Sequence, residues 1–140
     1  MLSAVSMAVL VLMQSAGKPL PSTLLVRIET VVEGEFRQVE RSGAVRLRDV
    51  TVTPRTGGAS MSVLLTLQRD QNFDVNAERA YASVWRALSG QPNAYTELGR
   101  ILVSLKRSSR AMTVECPARF VERSRGNVRF EQLKKSCRVR

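Results

Sequence analysis

The chain has 140 residues, 44% hydrophobic and 24% charged, which suffices for one domain with a real core and excludes both a disordered polymer and two ordinary domains. Its 22 Lys and Arg against 12 Asp and Glu leave a formal net charge of +10, so the partner it attracts is acidic: nucleic acid, an anionic membrane leaflet or an acidic protein. There is no histidine, which removes Ser-His and Cys-His nucleophile pairs and every His metal ligand.

The first charged side chain is Lys18, and before it lies an apolar run, Met7, Val9, Leu10, Val11, Leu12 and Met13 among its residues. Spanning a bilayer takes about 20 apolar residues, so this run is too short. It reads either as a retained arm for membrane contact or self-association, or as a secretory signal cleaved after "SAG"; against the signal, no Lys or Arg precedes the run. With the linker "GKPLPS" it makes residues 1–22 an arm, followed by a domain over 23–133 and a basic tail over 134–140.

Along the domain, "TLLVRIETVV" (23–32) alternates, with Leu24, Val26 and Ile28 opposite Arg27 and Glu29, and reads as a half-buried strand. After a turn at Gly34, a weaker strand candidate covers 36–39. "AVRLRDVTVT" (44–53) is a strand with Arg46 and Arg48 opposite Val45 and Leu47, and "PRTGGAS" is a loop. "MSVLLTLQ" (61–68) is the clearest strand. From Asp74 the period becomes about 3.6: Ala77, Ala80, Tyr81, Val84, Trp85 and Leu88 predict a helix over 74–89, with Asp74 or Asn76 at its start and a left-handed Gly90 at its end. Asn93 then caps a second expected helix, 94–107, through Tyr95, Leu98, Ile101, Leu102 and Leu105. Trp85, Tyr95, Leu98 and Leu102 are the expected core. "AMTVEC" (111–116) is a strand, and "ARFVERSRGNVRFEQL" reads as a hairpin turning at "RSRGN". The fold class is therefore α+β, a mostly antiparallel sheet packed against two consecutive helices.

The positive charge is uneven. Residues 1–99 carry 10 basic and 9 acidic side chains, whereas residues 100–140 carry 12 basic and 3 acidic. Candidate contacts for anionic membrane or RNA are Lys106, Arg107 and Arg110 after the second expected helix, Arg119, Arg123, Arg125 and Arg129 around the expected hairpin, and Lys134, Lys135, Arg138 and Arg140 beyond it. Arginine dominates, and its planar fork suits phosphate. Aromatic interleaving for base stacking is missing, so attraction to backbone phosphate without sequence reading is the expectation. Glycine-rich phosphate loops, a catalytic constellation and a cofactor motif are not found, and the chain reads as non-enzymatic. Cys116 and Cys137 have no metal spacing; they pair if the chain is secreted and stay reduced if it is cytosolic.

Residues 62–105 carry a resemblance. Phe73 in a turn, Trp85 in an alanine-rich helix, Gly90 in a break, Tyr95, and Ile101, Leu102 and Leu105 closing a second helix match a pattern of the rhabdovirus matrix proteins, which this segment resembles. The resemblance implies a self-associating α+β layer protein between envelope and ribonucleoprotein, located in the virion and at the host cytoplasm or membrane periphery, with no cofactor. Two departures stand beside it: the amino-terminal arm is apolar where the family's is Lys-rich, and no Pro-Pro-x-Tyr or Pro-Ser/Thr-Ala-Pro motif is present. The alternatives are a secreted or periplasmic domain with one disulfide, and a non-specific nucleic-acid-binding module.

Overall fold

The computed structural model describes residues 19–140, with side chains from residue 23 onward; the apolar arm falls outside the described residues. The elements are α1 (Pro19–Val39), a 3-10 turn (Glu40–Ser42), β1 (Val45–Thr53), β2 (Ala59–Leu67), α2 (Phe73–Ser89), α3 (Ala94–Glu97), β3 (Leu98–Arg107), β4 (Arg110–Pro117), α4 (Ala118–Ser124), α5 (Phe130–Ser136) and β5 (Arg138–Val139). The five strands form one sheet in the order β1-β2-β3-β4-β5. Only β2 and β3 run parallel, joined by the α2 crossover; the other pairs are antiparallel. The α+β class expected from the sequence is the observed one.

The sheet has one buried face. Val45, Leu47 and Val50 of β1, Met61, Val63 and Leu65 of β2, Ile101, Val103 and Leu105 of β3, and Val114 and Cys116 of β4 all point into the core. Leu25, Ile28, Val32 and Phe36 of α1 and Ala77, Ala80, Tyr81, Val84 and Leu88 of α2 close over them. Tyr81 joins the layers: its hydroxyl lies 2.8 Å from the Ile101 carbonyl and 2.7 Å from that of Val114, so its one proton serves β3 or β4 in turn. Burial, with the Glu115 charge adding to it, pushes the Tyr81 phenol above its ordinary range.

Several sequence expectations are corrected. The segment 23–32 is not a strand, and neither is 36–39; both belong to α1, which begins inside the expected linker and runs through Gly34. Leu25, Ile28, Val32 and Phe36 recur at three- and four-residue spacing, and a ten-residue window let their overlap with Leu24, Val26 and Ile28 pass as alternation. Val26, assigned to the buried face of the strand, is 62% exposed on the helix.

The second helix stops after one turn. Ala94–Glu97 is helical and Leu98–Arg107 is β3, because Ile101 and Leu105 fit both periods, Val103 completes the alternation between them, and β2 decides for the strand. As an interior strand with every other residue buried, β2 needs a partner on the side away from β1, and β3 supplies it in register from Ser60↔Arg100 to Thr66↔Lys106. Gly99 permits the approach: a Cβ there would lie 3.1 Å from the Gly57 carbonyl oxygen. Leu102, expected in the core, consequently sits half-buried on the outer face of the sheet.

The expected hairpin over 118–133 is instead the helix pair α4 and α5, turning through Arg125 (φ 52°) and Gly126 (φ 82°). The expected tail is not separate: Lys134 and Lys135 lie in α5, and β5 adds to β4 through Val114↔Val139 and Glu115↔Arg138. At the caps, Asn72 rather than Asp74 or Asn76 starts α2, its Oδ1 accepting from the Val75 amide at 3.1 Å. Gly90 is not left-handed; Asn93 is, at φ 69°, and its side chain makes no capping bond.

Candidate anion-binding surfaces

The face of the sheet turned away from the helices keeps its side chains partly or wholly accessible. Alternation along the strands places Thr51 and Thr53 on it from β1, Ser60, Ser62, Leu64 and Thr66 from β2, and Leu102, Ser104 and Thr113 from β3 and β4. Around this hydroxyl-rich centre stand six cations: Arg46, Arg48, Arg100, Lys106, Arg138 and Arg140. Among the described residues only two acids share the face, and both are engaged. Asp49 accepts from the Thr51 hydroxyl at 2.6 Å, while Glu115 takes Arg100 at 3.4 Å and Arg140 at 3.9 Å. A β-bulge between Leu47 and Asp49 turns Arg48 so that its Nε donates to Thr66 Oγ1 at 2.9 Å. No aromatic side chain lies on this face, so it offers charge and hydroxyl hydrogen bonds rather than a stacking platform.

The outer edge of β1 is closed by carboxylates. Glu40 Oε2 accepts from the Leu47 amide at 2.8 Å, and Glu29 Oε1 accepts from the Val52 amide at 3.3 Å. Edge strands with satisfied donors resist pairing with another chain. The Leu47 amide bond, and after it the Arg37 guanidinium, hold the Glu40 carboxyl below its ordinary range.

The second surface lies on the helix side, in the lobe made by α4 and α5. Ala118, Val121 and Leu133 anchor the pair to the core, and the Phe130 amide donates to Glu78 of α2 at 2.7 Å. Trp85, half-buried, packs beneath the turn: a Cβ on Gly126 would come within 3.0 Å of its ring, so glycine serves here both the left-handed backbone and the close approach. Cys116 and Cys137 form a disulfide that ties the exit of α5 to the end of β4. Between the two helices lies a groove of about 580 Å³, lined among others by Arg119, Arg123 and Lys135 around Phe120.

The eleven basic residues singled out in the sequence therefore divide. Lys106, Arg138 and Arg140 belong to the open sheet face; Arg119, Arg123 and Lys135 to the groove; Arg125 and Arg129 to the turn between α4 and α5. Arg110 sits at the β3–β4 turn. Arg107 is structural, its guanidinium 4.7 Å over the Phe73 ring and donating to the Gln71 carbonyl, and Lys134 pairs with Glu131 at 3.4 Å within its own helix. Sequence reading missed Arg46, Arg48 and Arg100 as part of a surface. The signal for the first two was present, since both lie opposite buried residues, but with 98–107 assigned to a helix the four-strand face could not be assembled.

Tyr95, expected in the core, is half-buried against it, and its hydroxyl has no partner although the atom is enclosed. Burial and then the nearby Glu122 charge raise its phenol above the ordinary range. Among the described residues no group of three or more acidic or Cys side chains is arranged to hold a metal, and no helix is long and apolar enough to cross a membrane. Comparison with protein-family models, with curated proteins and with solved structures finds no match to this chain.

Proposed function

We propose that this is a non-enzymatic structural protein that binds polyanions on two sides and bridges an anionic membrane to ribonucleoprotein. The observation that carries the reading is the pairing of an accessible sheet face, six cations against two engaged acids, with a second cationic surface across the helix layer. A flat face rich in Arg, Ser and Thr suits lipid phosphates and carboxylates, each nearby Lys or Arg contributing about 1 kcal/mol at an anionic surface. RNA contact is through backbone phosphate, without base reading. Self-association into a layer, and contact of the apolar arm with the membrane, complete the matrix-like role; an apolar segment together with a basic patch is the pair of signals that stable peripheral attachment needs. The rhabdovirus resemblance supports this role through Phe73 and Trp85, and no longer through the second helix, since Ile101, Leu102 and Leu105 lie in β3.

A bridging assay tests the reading. Phosphatidylserine vesicles loaded with the intact chain are expected to capture single-stranded RNA at low salt and release it at high salt, and deletion of residues 1–17 is expected to weaken vesicle binding. Capture of RNA by neutral vesicles, or binding indifferent to salt, would sink the electrostatic part.

One observation favours a second reading. Disulfides persist in oxidising compartments, so the Cys116–Cys137 pair taken together with the apolar run before "SAG" is what supports a secreted or periplasmic domain with a cleaved signal. Mass spectrometry of the mature protein separates the two: a new amino terminus near Lys18 with the mass of an oxidised pair supports secretion, and an intact, reduced chain opposes it.

A further inference from the structure

The groove between α4 and α5 differs in kind from the open face. It is an open hollow of about 580 Å³, and among the described residues no acidic side chain lines it. Among the described residues none of its three cations, Arg119, Arg123 and Lys135, has an ion-pair partner, whereas on the sheet Glu115 engages two of six. Phe120 and Pro117 give it an apolar lining, and Asn127 adds a neutral amide. The space exceeds what a bare phosphate fills and leaves room for a body that the amide can hydrogen-bond.

We propose that this groove is a discrete site for one phosphorylated polyol, taken either as a free phosphate ester or as the headgroup of a lipid. The three cations hold the phosphate oxygens, two arginines by their forked donors and Lys135 as a point charge. The polyol rests against Phe120 and Asn127. The disulfide frames the site, because Pro117 follows Cys116 and Ser136 precedes Cys137, so both walls are tied at one point. This proposal rests on the reading of the protein as a polyanion binder and assigns the groove a single ligand of defined stoichiometry.

The test is titration of the intact, oxidised chain with inositol trisphosphate, and separately with phosphatidylcholine vesicles carrying the same headgroup. Two variants are compared, Arg123→Gln with Lys135→Gln in the groove and Arg27→Gln with Arg41→Gln on α1 and the turn after it, outside both surfaces; all four side chains are exposed, so both variants keep the core. The expected result is saturable one-to-one binding, lost about tenfold or more for each groove cation removed and unchanged in the variant outside both surfaces. Binding of the free ester at the affinity of the vesicle identifies a soluble ligand, and preference for the vesicle identifies a lipid; either supports the site. Equal loss in both variants, or vesicle binding that ignores the phosphorylated headgroup while phosphatidylserine still binds, overturns the groove site and leaves the polyanion reading standing. Failure to bind any anionic vesicle overturns both.

Discussion

The open sheet face and the α4–α5 groove carry the same kind of charge in different geometry. On the sheet, six cations on β1, β3 and the β5 end surround a hydroxyl-bearing centre, and Glu115 neutralises part of the field through Arg100 and Arg140. In the groove, three cations line one concavity without an acid among them. A flat, partly compensated field suits a surface that is itself flat and repetitive, while a concave one suits a single molecule. Net charge, which counts both alike, hides that distinction. The two regions also differ in what supports them: hydrogen-bonded ladders and a buried tyrosine hold the sheet, and a disulfide and a glycine turn add to the few buried anchors of the lobe.

That difference in support can be broken at chosen points. The largest effect is expected from removing the disulfide. Replacing Cys116 and Cys137 by Ser frees a closure across 21 positions and costs about 3 kcal/mol in denaturant unfolding under oxidising conditions. Hydrogen exchange is expected to rise in 118–140 and to stay low in β2 and β3; a uniform rise would mean that the lobe and the sheet are one cooperative unit. Tyr81→Phe acts on the sheet instead. It leaves buried carbonyls at Ile101 and Val114 without their hydroxyl donor and is expected to cost about 1–3 kcal/mol in the same measurement, with the lobe intact.

Gly126→Ala probes the lobe turn from the other side. A Cβ at a φ of 82° and 3.0 Å from the Trp85 ring is expected to destabilise by about 1 kcal/mol and to shift the Trp85 fluorescence, whereas Gly34→Ala, in the exposed middle of α1 with nothing within 4 Å, is expected to stabilise slightly. The smallest effect is at the β1 edge. Because the folded state holds the Glu40 carboxyl below its ordinary value of 4.5, its contribution is present above that value and is lost as the pH falls through the lower, folded one. Glu40→Gln is expected to lower the melting temperature at neutral pH and to bring the two proteins together in acid; parallel curves down to pH 2 would contradict the assignment.

The strands of the hairpin β1–β2, the helix α2 and the strand β4 were legible in the sequence because each alternates or repeats over a stretch longer than the other period tolerates. Two others were misread because their apolar spacing suits both periods. In 23–32 three apolar residues alternate by coincidence over a window in which Leu25, Ile28 and Val32 also keep helical spacing, and the exposed Val26 is what separates the two readings. In 98–107 the local pattern is ambiguous and the decision is made by β2, an interior strand that lacks a neighbour unless β3 supplies one. The error propagated to function. With Arg100 and Lys106 placed on a helix, the basic residues of 46–48 had no counterparts, so the concentration of charge after residue 100 was legible while the face it shares with β1 was not. The helix pair α4–α5 was hidden for another reason: "RSRGN" is a turn in either reading, and the disulfide that closes it depends on three-dimensional placement.

The account stands most directly on the open sheet face as the surface that meets an anionic membrane. Co-sedimentation with phosphatidylserine and with neutral vesicles, at low and high salt, compares the intact chain with Arg46→Gln, Arg48→Gln and Lys106→Gln combined. The account predicts binding to the anionic vesicles alone, reversed by salt, and weakened about a hundredfold by the three substitutions. Unchanged binding of the triple variant, or equal sedimentation with neutral vesicles, would contradict it.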